Sequence, residues 1–163
     1  MNYANSLSLG LLIAALVVTG CSQQSGTPAA KDKGAAKGSG KKDDHAPHGK
    51  GPNGGVVFDL GKYHAEFTVD HDKQECMILV LGQDEKTPTQ VAAKELAVTT
   101  KETKTKEGKV VSPMTIKLLP KDESGGKATK FVGTDPGLGN VADFEATVVA
   151  EIDGKPSQGT FKE

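Results

Sequence analysis

All four histidines of this 163-residue chain lie between positions 45 and 71: His45, His48, His64 and His71. Neutral imidazole is a good ligand for Zn²⁺, Cu²⁺ and Ni²⁺, so this clustering indicates a metal-binding function. In an extended strand His64 and Glu66 project from the same face, about 7 Å apart, a separation that one ion or a water-bridged pair spans. We therefore predict a transition-metal site formed by His64 and Glu66 and completed by His48 or His45.

The alternative is a domain whose histidines bind nothing. His45 and His48 fall in a segment rich in Gly, Lys, Asp and Pro, where a solvated side chain is the ordinary case, and His71 lies in the charged turn Asp70–Lys73. Ordering a flexible ligand arm costs roughly 1–2 kcal/mol per residue, which opposes a tight site on such a segment. Under this alternative the domain is a structural or protein-interaction module without a metal site.

Signals for catalysis and for nucleic-acid binding are lacking. The chain contains no glycine-rich phosphate loop, no Gly-x-Ser-x-Gly elbow and no His-Glu-x-x-His pair. Cys76 begins the apolar run Cys76–Leu81, where a cysteine behaves as a small buried hydrophobe. The net charge is -1, every basic residue is a lysine and tryptophan is absent. We therefore predict a non-enzymatic protein that does not bind nucleic acid.

Residues 54–163 read as short runs rich in Val, Ile, Thr and Phe, separated by clusters of Gly, Pro, Asp and Lys. This pattern predicts an all-β domain, a small antiparallel β-sandwich of about seven or eight strands. The predicted strands are Val56–Leu60, Tyr63–Val69, Glu75–Leu81, Glu95–Lys101, a long Val110–Leu119, Ala128–Val132, Phe144–Ile152 and Gly159–Phe161. The best candidate for a turn of helix is Thr89–Leu96.

The preceding segment, residues 21–53, has the composition of a tether. It contains Gly, Ser, Ala, Pro, Lys and Asp, and no apolar residue larger than alanine follows Cys21. Such a segment cannot build a core, and a flexible coil of roughly 30 residues has a root-mean-square reach of about 30 Å.

The first 20 residues have the features of a signal peptide. The apolar run Leu7–Val18 is shorter than a membrane span and ends in Val18-Thr19-Gly20-Cys21, which resembles the lipobox of bacterial lipoproteins. The resemblance implies cleavage before Cys21 and acylation of that cysteine, palmitate included, which anchors the chain in the lipid bilayer. Because Ser22 stands where an Asp would retain a lipoprotein at the inner membrane, it further implies the outer membrane, facing the periplasm.

A second resemblance concerns the domain and rests on His48-Gly49, Gly54-Gly55, the strand Tyr63-His64-Ala65-Glu66-Phe67 and the later Asp153-Gly154-Lys155-Pro156. These motifs resemble a group of secreted or lipidated β proteins, common in planctomycete-like bacteria, in which a His-Gly-Gly segment precedes a Tyr-His-Ala-Glu strand. More distantly, they resemble the His-rich N-terminal segment of periplasmic adaptors of heavy-metal efflux pumps. The resemblance implies a small β domain, metal contact at His48, His64 and Glu66, and a partner in the envelope or an efflux complex. Here Lys50–Asn53 interrupt the His-Gly-Gly segment, and the adaptor's docking hairpin is missing.

Overall fold

The computed structural model describes residues 48–163, and all statements on structure concern this part of the chain. Several predictions fall outside the described residues: the signal peptide, the acylation of Cys21, the tether as far as residue 47, and His45 as a metal ligand. Residues 48–163 are all-β, with ten strands and one short 3-10 turn, Pro136–Gly139. No helix in this range has the length and apolar character of a membrane span.

The ten strands follow the predicted order, with one addition and one division. They are β1 (Val56–Leu60), β2 (Tyr63–Asp70), β3 (Glu75–Leu81), β4 (Leu96–Thr100), β5 (Thr103–Lys104), β6 (Val110–Val111), β7 (Thr115–Pro120), β8 (Lys130–Thr134), β9 (Glu145–Ile152) and β10 (Lys155–Lys162). β5 was not predicted from the sequence.

Eight strands form one antiparallel sheet in the order β1-β2-β3-β8-β7-β4-β9-β10, and β5 pairs with β6 in a separate ribbon. The sheet curls until its two edge strands, β1 and β10, contact each other, so it is nearly closed. The all-β class and the sandwich-like antiparallel architecture are therefore confirmed. The two layers of this sandwich-like architecture are the two halves of one continuous, curled sheet.

The contact between β1 and β10 depends on a glycine. A Cβ placed on Gly159 would lie 2.1 Å from the carbonyl oxygen of Asp59 and 2.8 Å from Cδ2 of Phe58. No side chain fits there. Inside the sheet the Phe161 ring of β10 stacks on Phe67 of β2 at 4.3 Å between centroids, which joins the last strand to the main core.

Two sequence predictions are wrong in detail. The long strand Val110–Leu119 is divided into β6 and β7, because Pro113 between them has no N–H to donate to a ladder. The segment Thr89–Leu96 contains no helical turn: Val91 exchanges backbone hydrogen bonds of 2.9 and 3.0 Å with Ala128. This isolated bridge to a distant segment outweighs a weak local helical preference.

Strand β3 is buried on both faces, which agrees with the unbroken apolar sequence of Cys76–Leu81. Cys76, Ile78 and Val80 belong to the main core, whereas Leu79 and Leu81 form a second, smaller cluster with Val57. Burial raises the pKa of the Cys76 thiol to about 12. The second cluster lies on the same face of β1–β3 as His64 and Glu66, because the register places Val57 and Leu79 opposite Glu66 and Leu81 opposite His64.

The residues from His48 to Gly55 fold onto the face of β1–β3 that carries His64 and Glu66, which we call the outer face. Lys50 forms a bridge with Val56, and the amide of Gly51 donates to the carbonyl of Gly55 at 3.1 Å. A Cβ on Gly51 would lie 2.4 Å from Cδ of Glu66, so the turn lies directly against that carboxylate. The segment His48–Asn53, assigned to the tether from its composition, is therefore in contact with the sheet.

Candidate metal centre

The first two strands place a carboxylate opposite a histidine. β1 and β2 are joined by a two-residue turn at Gly61 and Lys62, and Gly61 takes a left-handed φ of 65° that favours glycine. This turn sets the register so that Asp59 lies directly opposite His64. Asp59 Oδ1 is 3.3 Å from His64 Nε2.

His48 reaches the same place from the segment that precedes β1. Its Nε2 is 3.5 Å from Asp59 Oδ2, and its ring meets the ring of His64 edge-on with 5.3 Å between centroids. The side chains of His48 and His64 are only 16% and 14% exposed, whereas Asp59 is half exposed. One ligand atom from each of these three residues lies within 4.8 Å of the other two.

Glu85 adds a second carboxylate. Its Oε1 is 3.0 Å from His48 Nδ1 and 3.6 Å from His64 Nε2. Glu85 lies in the loop that follows β3, with a left-handed φ of 58°. We call these four residues the His/carboxylate cluster: His48, Asp59, His64 and Glu85.

A hydrogen bond made by Nδ1 of His64 determines whether its other ring nitrogen, Nε2, carries a proton or a lone pair in the neutral ring. His64 Nδ1 is 3.1 Å from the carbonyl oxygen of Gly82, and a carbonyl only accepts, so Nδ1 carries the proton. In the neutral ring Nε2 then presents a lone pair to the oxygens of Asp59 and Glu85. Lone pairs facing one another repel, and a metal ion bound between these atoms would remove that repulsion. Histidine ligands of metals are commonly oriented by such a bond to a backbone carbonyl.

Glu66 lies outside this cluster. Its carboxylate is buried and accepts hydrogen bonds from the amides of Asn53 and Gly55, both at 2.8 Å, and from Asn53 Nδ2 at 2.9 Å. The prediction that His64 and Glu66 share a face of β2 holds, but these donors occupy the oxygens of Glu66. Its carboxylate holds the turn at residues 51–55 against the sheet.

The structure thus brings together two of the predicted metal ligands, His48 and His64. His45 lies outside the described residues. His71 is not in the cluster: it occupies the turn after β2 and its Nδ1 donates to the carbonyl of Leu138 at 2.7 Å.

Sequence reasoning missed the two carboxylates that contact both histidines. The signal for Asp59 was present, because a two-residue turn at Gly61 and Lys62 pairs position 59 with position 64. No comparable signal exists for Glu85. It reaches the cluster through the path of an irregular loop, which hydrophobic periodicity does not predict.

Compared with protein-family models, curated proteins and solved structures, the chain gives no significant match. The arguments about function therefore rest on the residues themselves.

Proposed function

We propose that this protein is a membrane-anchored lipoprotein of the bacterial envelope whose β domain binds a divalent transition metal through His48, Asp59 and His64, without catalysing a reaction. The observation that carries the metal-binding part is the convergence of these three side chains from two strands and a preceding segment within 4.8 Å. The anchoring part rests on the lipobox-like sequence ending at Cys21.

The distances in the cluster suit a metal ion. Ligand atoms bonded tetrahedrally to Zn²⁺ at about 2.0 Å lie roughly 3.3 Å from one another. Asp59 Oδ1 is 3.3 Å from His64 Nε2, and Asp59 Oδ2 is 3.5 Å from His48 Nε2. The three side chains therefore need only small adjustments to share one ion.

The donor atoms favour Zn²⁺, Cu²⁺ or Ni²⁺. Imidazole and carboxylate ligands suit these borderline cations, whereas soft Cu⁺ prefers thiolate and thioether sulfur. Cys76 belongs to the main core inside the sheet, and the cluster is on the outer face, so no thiol from Cys76 is available.

The acylation of Cys21 proposed above would determine where in the cell the metal site lies. The acylated chain would hold the domain at the outer membrane, facing the periplasm, where an envelope or efflux protein is the expected partner. Mass spectrometry of the mature N-terminus tests this part. We expect an acylated chain that begins at Cys21, and an unacylated chain beginning elsewhere would refute the anchor.

Isothermal titration of the purified protein with Zn²⁺, Cu²⁺ and Ni²⁺ tests the metal site. We expect one ion per chain and an affinity at least about tenfold lower in His48→Ala and His64→Ala, since each removes a coordinating nitrogen. His71→Ala is the matched control and should bind like the wild type. Equal binding by wild type and His64→Ala would reject the site and favour a structural or interaction module.

A further inference from the structure

We propose that Glu85 is the fourth protein ligand and that the His/carboxylate cluster is a closed site of two imidazole nitrogens and two carboxylate oxygens. This rests on the metal-binding function proposed above and goes beyond it, because it assigns a fourth ligand and the coordination type. A site with four protein ligands retains its ion, whereas a catalytic zinc site keeps one position open for water or substrate.

The geometry favours Glu85 because its carboxylate contacts both histidines. Oε1 lies 3.0 Å from His48 Nδ1 and 3.6 Å from His64 Nε2, close to the separation of roughly 3.3 Å expected between ligand atoms on one tetrahedral ion. Asp59 likewise contacts both rings. Each of the two carboxylates therefore contacts both imidazoles.

His48 can use only one ring nitrogen for a given ion. Nδ1 is the nitrogen nearer Glu85, and Nε2 is the nitrogen nearer Asp59. Whichever nitrogen coordinates, the other stays within reach of a carboxylate that can accept its proton. His48 is thereby oriented by the same acidic groups that share the ion.

The loop holds Glu85 in place without using its carboxylate. The Glu85 amide donates to the carbonyl of Gly82 at 3.1 Å, and Gly82 in turn donates to the carbonyl of Thr87 at 2.9 Å. Asp84 Oδ1 accepts from the amides of Lys86 and Thr87. The loop is therefore tied by its backbone and by Asp84, and within residues 48–163 the recorded partners of the Glu85 carboxylate are the two histidines.

One backbone group couples the loop to the site. The carbonyl of Gly82 accepts from the Glu85 amide and also from His64 Nδ1, at 3.1 Å in each case. The group that orients His64 is thus the one that positions Glu85. Both side chains are directed to the cluster by a single peptide unit.

Charge is balanced only when both carboxylates take part. Two neutral imidazoles and two carboxylates carry -2, which a divalent cation neutralises. With Asp59 alone, the bound ion would keep a net positive charge beside the unpaired carboxylate of Glu85. A closed, neutral N₂O₂ centre for a divalent cation such as Zn²⁺ is the arrangement that these four side chains support.

Cobalt substitution tests this assignment on the purified protein, since Co²⁺ reports its coordination number through its visible absorption. We expect wild type to give the intense bands of a four-coordinate ion, unchanged by added azide. Glu85→Gln should bind Co²⁺ and Zn²⁺ about tenfold more weakly. Added azide should shift the Co²⁺ absorption spectrum of Glu85→Gln, because the anion can bind at the coordination position that the Glu85 carboxylate leaves open. Glu102→Gln, an exposed carboxylate outside the cluster, is the matched control and should behave as wild type.

Glu85→Gly is a second variant that tests the same point if Glu85→Gln misfolds. Glycine accepts the left-handed φ at this position, and the substitution removes the carboxylate. It should reproduce the azide sensitivity of Glu85→Gln. If both Glu85 variants keep wild-type affinity and an azide-insensitive spectrum, the fourth ligand is refuted and the three-ligand site stands. If wild type itself binds neither Co²⁺ nor Zn²⁺, the proposed function fails.

Discussion

Asp59 and His64 face each other across the β1–β2 hairpin, with Asp59 Oδ1 3.3 Å from His64 Nε2. Because Asp59 is half exposed, we expect its charge to contribute little to the free energy of unfolding and more to the affinity of the cluster for a metal ion. We predict that Asp59→Asn lowers the affinity for Zn²⁺ at least about tenfold while leaving the free energy of unfolding nearly unchanged. Titration calorimetry and urea unfolding measure the two quantities. Asp72→Asn, in the exposed turn after β2, is the control and should alter neither. Undiminished affinity in Asp59→Asn would exclude Asp59 as a ligand.

Glu66 is predicted to matter for stability and not for coordination. Glu66→Gln replaces one of two accepting oxygens with an NH₂ group, so one oxygen can still accept the amides of Asn53 and Gly55 while Asn53 Nδ2 loses its acceptor. We expect a loss of about 1–3 kcal/mol in the free energy of unfolding, with one metal ion still bound per folded chain. Urea unfolding and calorimetry are the measurements, and Glu151→Gln, an exposed position on β9, is the control. Loss of metal binding from a fully folded Glu66→Gln would instead assign Glu66 to the site.

Gly159 is predicted to be essential for the contact between the edge strands. In Gly159→Ala the new Cβ would lie 2.1 Å from the carbonyl oxygen of Asp59, so β1 and β10 must separate. We expect destabilisation by about 1–3 kcal/mol and weaker Zn²⁺ binding, because Asp59 moves with β1. Thermal unfolding and calorimetry check this. Gly49→Ala adds a Cβ with nothing within 4 Å and should be neutral in stability. A neutral Gly159→Ala would show that the edges are free to part.

Cys76 is predicted to weaken the fold at alkaline pH. Burial raises the pKa of its thiol from 9.0 to about 12, so between those values the unfolded chain has released a proton that the native chain retains. The Cys76 thiol therefore costs no stability below about pH 9, and its cost grows as the pH rises toward 12. Urea unfolding at a series of pH values measures the decline, which should be smaller in Cys76→Ala. The native thiol should also resist alkylation at pH 8. Rapid alkylation without unfolding would contradict this burial.

The strands were predictable wherever side-chain alternation and turn residues agree. In β2 the alternation of Ala65 and Phe67 with His64 and Glu66 separates the inner face from the outer face, and the structure buries Ala65 and Phe67 completely. Glu66 on the outer face, where the alternation predicts exposure to solvent or a partner, is also fully buried, because the turn at Gly51 covers it. The division at Pro113 was not predicted, although a proline inside a predicted strand was a visible warning.

The candidate site was predictable in part, for a physical reason. The composition of the segment around His48 resembles a tether, yet the carboxylate of Glu66 gives the turn that follows His48 three hydrogen bonds to hold it. Such a fixed contact between a glycine-rich segment and a buried carboxylate depends on tertiary structure. The position of Glu85 could not be predicted for the same reason, because it depends on the path of the irregular loop that follows β3.

His48, the hairpin residues Asp59 and His64, and the loop residue Glu85 come from three separate stretches of chain, so an ion that binds them together recognises only the folded domain. A ligand present at 100 times its dissociation constant adds about 2.7 kcal/mol to the free energy of unfolding by mass action. If the cluster holds a metal and the chain is anchored in the envelope, as proposed, the lifetime of this protein against proteases there would rise and fall with the local metal supply. Its abundance would then record the metal status of the compartment.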